Sequence, residues 1–358
     1  MTGEKHMSIE KFTPDELEVV ETAQGFGGRT IEWYKTPITS KENIKRMYEG
    51  KTPMWMPFTG EITNLMIDCD PENKARSNPE GGIDGWGVEW IFVKQAGGAM
   101  VKPGNPKVPD IEHWEDYLTI PNPDEWDWED CYERNKDKKR DDRMFMISSG
   151  SCLFERLIAV MDFANAAMAL IDEEQQPHVH RFFRAVNDSR IKYYKNMIKW
   201  FHPDMVNFND DWGSQRAEFF SVDTAKEMLV PYVKELGDFV HSQGLYFDLH
   251  CCGFVENFVP FFIEEGFNSW GGQPLNDKAK LKRMYGDKNF IFTSSFDYNP
   301  EMSDEELTKA IADFMADIGY DNRLFFGGNM ADSRLHKAMY EASRLNYDRL
   351  VAEGKAVL

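Results

Sequence analysis

No stretch of this 358-residue sequence approaches the roughly 20 apolar residues that a helix needs to cross a bilayer. The opening residues, Met1-Thr2-Gly3-Glu4-Lys5-His6, lack the apolar core of a secretory signal. A cytoplasmic location with no membrane partner is the expectation. Cysteine is sparse: Cys69, Cys131, Cys152, Cys251 and Cys252 are an odd set in a long chain, which argues against a disulfide framework. Positive charge is also short. Lys and Arg number 41 against 61 Asp and Glu, a net charge of −20, and no basic patch of the kind a nucleic-acid binder needs stands out. The acidity suits solubility, repulsion of polyanions, or steering toward a basic protein partner. The Gly-x-Gly-x-x-Gly fingerprint of a dinucleotide-binding sheet is missing. So are low-complexity tracts and linkers, and a single domain spanning 1–358 is expected.

Apolar residues make up 42% of the sequence, enough for a large core. Residues 1–38 are polar and read as an N-terminal extension. Thr39 or Ser40 caps a helix ended by Gly50, and Met54-Trp55-Met56-Pro57-Phe58 reads as a first strand. Residues 69–128, rich in Gly, Pro, Asp and Trp, read as a loop-rich insertion over a barrel mouth. From Met144 the rhythm is regular. Strands at 144–147, 205–208, 245–247, 267–270, 290–292 and 323–326 alternate with helices, among them 223–240 and one opened by the capping pair Ser303 and Glu306. Strand–helix alternation over seven or eight units predicts a parallel α/β fold, a closed (β/α)8 TIM barrel.

Three clusters carry chemistry. In Leu245-Tyr246-Phe247-Asp248-Leu249-His250-Cys251-Cys252-Gly253, an apolar strand delivers a histidine and two cysteines onto its C-terminal end, where barrel active sites lie. Alternation puts His250 and Cys252 on one side, an imidazole–thiolate pair suited to zinc, whereas the bland reading is a buried histidine and small buried thiols. In Val206-Asn207-Phe208-Asn209-Asp210-Asp211-Trp212-Gly213, a strand runs into an acidic loop that suits proton transfer (Asp210), substrate binding (Asn209, Asp211) or simple helix capping. In the insertion, Asp84, Trp86 and Trp90 form either a pocket for a planar ligand or the glue that holds a loop down. Gly327-Gly328-Asn329 follows the last strand. His250, Asp210 and Gly327 are expected at one barrel mouth.

These residues resemble the uroporphyrinogen decarboxylase-like superfamily. The resemblance runs from Asn209-Asp210-Asp211-Trp212-Gly213, through Pro231, to His250-Cys251-Cys252-Gly253, and continues in Pro260 and Glu264-Glu265-Gly266. Upstream, Asp84-Gly85-Trp86-Gly87, Ser149-Gly150 and Phe154-Glu155 fit it as well, so it spans roughly residues 40 to 355. The His-x-Cys-Gly form is similar to the corrinoid-dependent methyltransferases, and implies zinc on His250 and Cys252. Decarboxylases of the superfamily grip substrate carboxylates with an Arg-Gln-Ala-Gly-Arg motif. Met56-Pro57-Phe58-Thr59-Gly60-Glu61 stands in that region here. The methyltransferases place a third zinc-binding cysteine in a Gly-Cys-Gly turn, which reads Gly327-Gly328-Asn329 in this chain. Asp210, Glu265 or Glu61 is then the expected third ligand. The implied activity is methyl transfer from a small methoxylated aromatic substrate to the Co(I) of a separate corrinoid protein, as in O-demethylase systems of anaerobic C1 metabolism. A decarboxylase or a non-catalytic binding barrel is the alternative. Asp248-Leu249-His250-Cys251-Cys252-Gly253 also fits the Asp-x-His-x-x-Gly signature of cobalamin-binding domains, but it sits mid-barrel.

Overall fold

The computed structural model describes residues 11–24, 30–94, 98–327 and 332–358. Its strands are β1 (Val19–Gln24), β2 (Thr30–Tyr34), β3 (Ile62–Met66), β4 (Gly82–Ile83), β5 (Glu89–Val93), β6 (Gly98–Val101), β7 (Met144–Ser151), β8 (Met205–Asn209), β9 (Tyr246–His250), β10 (Ser269–Gly271), β11 (Ile291–Ser295) and β12 (Phe325–Gly327). Helices separate β7 from β8 and each later strand from the next, which makes the architecture α/β. No helix among the described residues is long and apolar enough to cross a membrane.

The chain's contacts gather into two compact units. One comprises residues 1–61, 141–143 and 278–358. The other comprises 62–140 and 144–277.

In the second unit the parallel strands pair in the order β3-β7-β8-β9-β10. Strands β7 and β8 are almost wholly buried, apolar in their first residues and polar toward their C-terminal ends, as suits parallel strands covered on both faces. The long helix Gln176–Phe201 buries Val179, Phe182, Phe183, Val186, Tyr193, Tyr194 and Met197 along one stripe. The segment 223–240, read from sequence as one helix, is two, Val222–Met228 and Val230–Ser242. Pro231 is the cause: it has no N–H for a continuing ladder and is tolerated in the first turn of a new helix. The insertion 69–128 is more regular than expected. Asp70 caps a helix, Pro71–Ser77, and β4-β5-β6 form an antiparallel sheet.

In the first unit β1 and β2 form an antiparallel ribbon, so the N-terminal extension has structure of its own. Thr39 caps the helix Ser40–Tyr48, and Glu42 completes a capping box. β11 and β12 pair in parallel. The expected strand at Met54–Phe58 does not form apart from an isolated parallel bridge between Phe58 and Phe326. Its apolar side chains are buried as expected. Its backbone, however, is claimed by a side chain: Asn43 donates to the Trp55 carbonyl at 2.9 Å and accepts from Met54 N at 2.7 Å. Pro53 and Pro57 remove two more ladder donors. The regular strand begins only at Ile62.

Candidate metal centre

The site is built where β8 and β9 end side by side. Their parallel register pairs Asn209 with His250, and Asp210 N donates to the His250 carbonyl at 3.1 Å. The chain then continues as Asp211-Trp212-Gly213 on one strand and Cys251-Cys252-Gly253 on the other. The two extensions touch at their glycines. A Cβ on Gly253, whose φ is +86°, would lie 2.0 Å from the Gly213 carbonyl oxygen. A Cβ on Gly213 would lie 2.4 Å from the Phe254 carbonyl oxygen. Phe254 N then bonds the Ser214 carbonyl at 2.8 Å. The glycines therefore let two loops approach at a distance that side chains forbid.

Alternation sorts the side chains. Cys251 is fully buried and its thiol is pushed well up by that burial; His250 is exposed and Cys252 half-buried. The Cys252 Sγ lies 3.2 Å from His250 Nε2. The carboxylate that meets this pair belongs to Asp211, which accepts from Cys252 N at 2.6 Å. One ligand atom from each of Asp211, His250 and Cys252 lies within 4.8 Å of the others. A nitrogen, a sulfur and an oxygen donor so close together, on a partly open face, suit a zinc ion with a free coordination position.

The other expected third ligands do not join this group. Asp210 is fully buried and turned away from this group. Its carboxylate accepts from Phe154 N at 3.0 Å, Glu155 N at 2.8 Å and the Trp212 indole at 2.7 Å, so it caps the helix Phe154–Met161 from outside. Burial raises its carboxyl to about 7 in spite of these bonds. Glu265 is 0% exposed, and neither carboxyl oxygen has a hydrogen-bond partner among the described residues. Burial and the Asp210 charge hold it well above the usual carboxylate range. Glu61 belongs to the other unit. There it accepts from the Trp55 indole at 3.0 Å and Phe58 N at 3.2 Å, and burial raises it to about 7.

The residues expected to bind substrate divide. Asn209 is at the site, its amide tied to the Ser149 carbonyl at 2.8 Å. Asp84, Trp86 and Trp90 are committed to a buried ion cluster. Asp84 accepts from Trp86 N, Val88 N and the Trp90 indole, and pairs with Arg156 at 3.3 Å. Arg156, itself fully buried, also binds Glu72, and its guanidinium lies 4.4 Å over Trp86; Arg76 lies 5.0 Å over Trp90. Cations cover the indole faces that were expected to stack a planar ligand. The sequence gives no sign of the part played by Arg156, in the first turn of the helix that Asp210 caps. Gly327 ends β12 in the other unit, and Gly328-Asn329 lie outside the described residues.

One feature escaped the sequence reading. Asn64, Ser148, Asn207, Asp248 and Ser269, one each from β3, β7, β8, β9 and β10, form a hydrogen-bonded row. Ser148 donates to Asn64 at 2.9 Å and to Asn207 at 3.3 Å, Asn207 donates to Asp248 at 2.7 Å, and Ser269 also donates to Asp248. Asp248 precedes His250 by two residues and shares its side of β9. The row is thus a polar floor one layer below Asp211, His250 and Cys252. The signal was present in the sequence as polar residues within otherwise apolar stretches, Asn64, Asn207 and Asp248 among them.

No family model matches the sequence, and no curated protein matches it. Solved structures do. A methyltransferase from Methanosarcina mazei superposes with a TM-score of 0.60 at 13% identity, covering 88% of this chain and 99% of that one. That similarity is one of fold. A uronate isomerase from Bacillus halodurans (TM-score 0.30, 11% identity, 64% of this chain and 58% of that one) and a D-psicose 3-epimerase (0.27, 13%, 62% and 82%) align far less closely.

Proposed function

We propose that this chain is a (β/α)8-barrel methyltransferase that takes the methyl group from a methyl ether, in the first instance a methoxylated aromatic, and passes it to the Co(I) of a separate corrinoid protein. The observation that carries the reading is the convergence of Asp211, His250 and Cys252 at the ends of adjacent parallel strands. Their donor set fits zinc, with Asp211 filling the place of the absent cysteine. Zinc held there would act as a Lewis acid on the ether oxygen. The fold shared with the Methanosarcina mazei methyltransferase supports the same reading.

The chain's own residues then have definite tasks. Asp210 and the glycine pair hold the Asp211 loop against the Cys252 loop. The hydrogen bond from Cys252 N orients the Asp211 carboxylate, the outer-shell contact that such ligands need. Cys252, with one thiolate in place of two, leaves the site less electron-rich, which suits activation of an ether. Asn209 and the polar floor at Asn207 and Asp248 offer hydrogen bonds to a substrate's oxygen substituents.

Two measurements test this. Purified protein should hold about one zinc per chain, and His250→Ala, Cys252→Ala and Asp211→Asn should lose it, while Cys251→Ala keeps it. Mixed with an aryl methyl ether and a reduced corrinoid protein, the enzyme should release a phenol as the Co(I) spectrum disappears. Loss of any ligand should slow this by about a hundredfold or more. If methoxyarenes, methanol and methylamines all fail as donors, the methyltransferase reading is wrong, and a decarboxylase or binding barrel takes its place.

A further inference from the structure

A cavity of about 490 Å³ lies wholly within the first unit. That volume falls in the roughly 300–1,000 Å³ range of small-molecule sites. β2, the helix Ser40–Tyr48 and the helix Ser333–Ala352 each lend side chains to its wall. The wall is rich in rings: Trp33, Tyr34, Trp55, Phe58 and Tyr340. The Phe58 ring stands 5.5 Å from Trp33 and 4.5 Å from the His336 imidazole, and Tyr34 stands 5.0 Å from His336. The Arg143 guanidinium lies 3.4 Å over the Trp33 ring and holds the indole in place. Trp33 Nε1 and His336 Nδ1 are both buried, and neither atom has a hydrogen-bond partner among the described residues. His336 is only 7% exposed. Buried polar atoms are normally satisfied, so these two call for an occupant. Both cations of the wall are already paired, Arg143 with Glu21 at 3.2 Å and Lys35 with Glu18 at 3.2 Å. An anionic ligand would have to compete with those carboxylates.

We propose that this cavity is a binding site for a small uncharged aromatic alcohol of the phenol or naphthol class, its rings against Trp33, Tyr34 and Phe58 and its hydroxyl bonded to Trp33 Nε1 and His336 Nδ1. Flat rings pack well against an aromatic wall. The indole N–H can only donate, so the ligand must offer it an acceptor. Burial lowers His336 from 6.5 to about 4, so its ring is uncharged near neutral pH. Its Nδ1 then either accepts or donates, according to the tautomer. A hydroxyl oxygen accepts from the indole, and the same group can donate to His336 or accept from it. Water alone could also satisfy the two atoms, but water gains nothing from the rings. The site rests on this cavity and stands apart from methyl transfer and from the residues that would hold zinc.

The test is equilibrium dialysis of the full-length protein against 2-naphthol, naphthalene and 2-naphthoate, with amide hydrogen exchange to locate what binds. The expected order is 2-naphthol tightest. Naphthalene leaves water more readily, so a preference for the alcohol reads the hydroxyl and not the rings. Naphthoate should bind most weakly. Saturation with 2-naphthol should slow exchange at residues 31–40 and 334–341. Trp33→Phe keeps a ring and removes the N–H; it should weaken 2-naphthol about fivefold, the scale of one hydrogen bond, and leave naphthalene unchanged. His336→Phe should act in the same direction. The wild-type order and the exchange map decide even if a variant does not fold. Equal or tighter binding of naphthalene overturns the proposal, because the cavity is then merely apolar. Failure of 2-naphthol to bind overturns it in favour of water. Protection confined to residues 209–214 and 250–255 does so too, since the alcohol would then sit beside His250.

Discussion

At Asp210 the carboxylate accepts from two helix amides and an indole; one residue on, Asp211 faces His250 and Cys252. Both residues are acidic and follow the same strand, so composition gave no means of telling them apart. The deciding fact is which side of the chain faces the helix Phe154–Met161, a long-range matter. Glu61 shows the same limit. Its place in sequence, where a substrate-binding arginine motif was sought, made it a candidate ligand, but it is a structural acid. Its carboxyl is raised from 4.5 to about 7, first by burial, with the bonds from Trp55, Ser40 and Phe58 N and the charge of Arg143 acting the other way. Between those values the folded chain keeps a proton that the unfolded chain has released. Stability therefore falls as pH rises from about 4.5 to 7, by about 3 kcal/mol for this group. Glu61→Gln keeps an acceptor for Trp55 and removes the proton, so the variant should lose this slope. His336, lowered from 6.5 to about 4 by burial, contributes the opposite slope, with stability lost as pH falls through that window. Urea midpoints at pH 5 and pH 8 for Glu61→Gln and the wild type check it. An unchanged difference between the two pH values in the variant would show that Glu61 is not the source.

The elements were legible where local rules act alone. The capping pair Ser303 and Glu306 opens the helix Asp304–Asp317 as expected, and β8 and the helix from Phe154 lie where their apolar patterns put them. They were illegible where a distant side chain decides, as at Met54–Phe58, whose backbone Asn43 claims. The glycines after β8 and β9 are a case in between: Gly213 and Gly253 were visible in both motifs, but not that they touch. Gly253→Ala should cost about 1–3 kcal/mol for the left-handed backbone alone, with the overlap against Gly213 added. It should also lower zinc content while leaving His250, Cys252 and Asp211 intact in sequence. Metal analysis beside denaturant unfolding separates the two effects. In the insertion, Arg156 is the tie between Glu72, Asp84 and the face of Trp86. Arg156→Met would leave Asp84 buried without its cation and Glu72 paired with Arg76 alone. The expected loss is about 3–5 kcal/mol, read as a lower urea midpoint. A loss under 1 kcal/mol would mean that the cluster is solvated.

At the scale of the whole molecule, strand–helix alternation was enough to reach an α/β architecture with parallel strands. The two contact units are not marked in the sequence, because segments distant in sequence gather in them: residues 141–143 and 278–358 join 1–61. No linker composition marks such a boundary. The division has a consequence for metal binding. Asp211, His250 and Cys252 all lie in the second unit, His250 at the end of β9 and the other two on the loops that follow β8 and β9. A ligand that binds only the folded state stabilises it by RT ln(1 + [L]/Kd), about 2.7 kcal/mol at a hundredfold excess over Kd. Part of that gain must appear locally, because an ion held there would cross-link two loops otherwise joined by backbone bonds and a glycine contact. Amide hydrogen exchange should therefore slow on adding zinc across residues 209–214 and 250–255, while β11 and β12 in the other unit change little. Chelation should reverse the protection, and His250→Ala should show none. Uniform slowing across both units, or protection centred on Asp110, Glu112 and His113, would place the ion elsewhere and remove the geometric basis of the proposed chemistry.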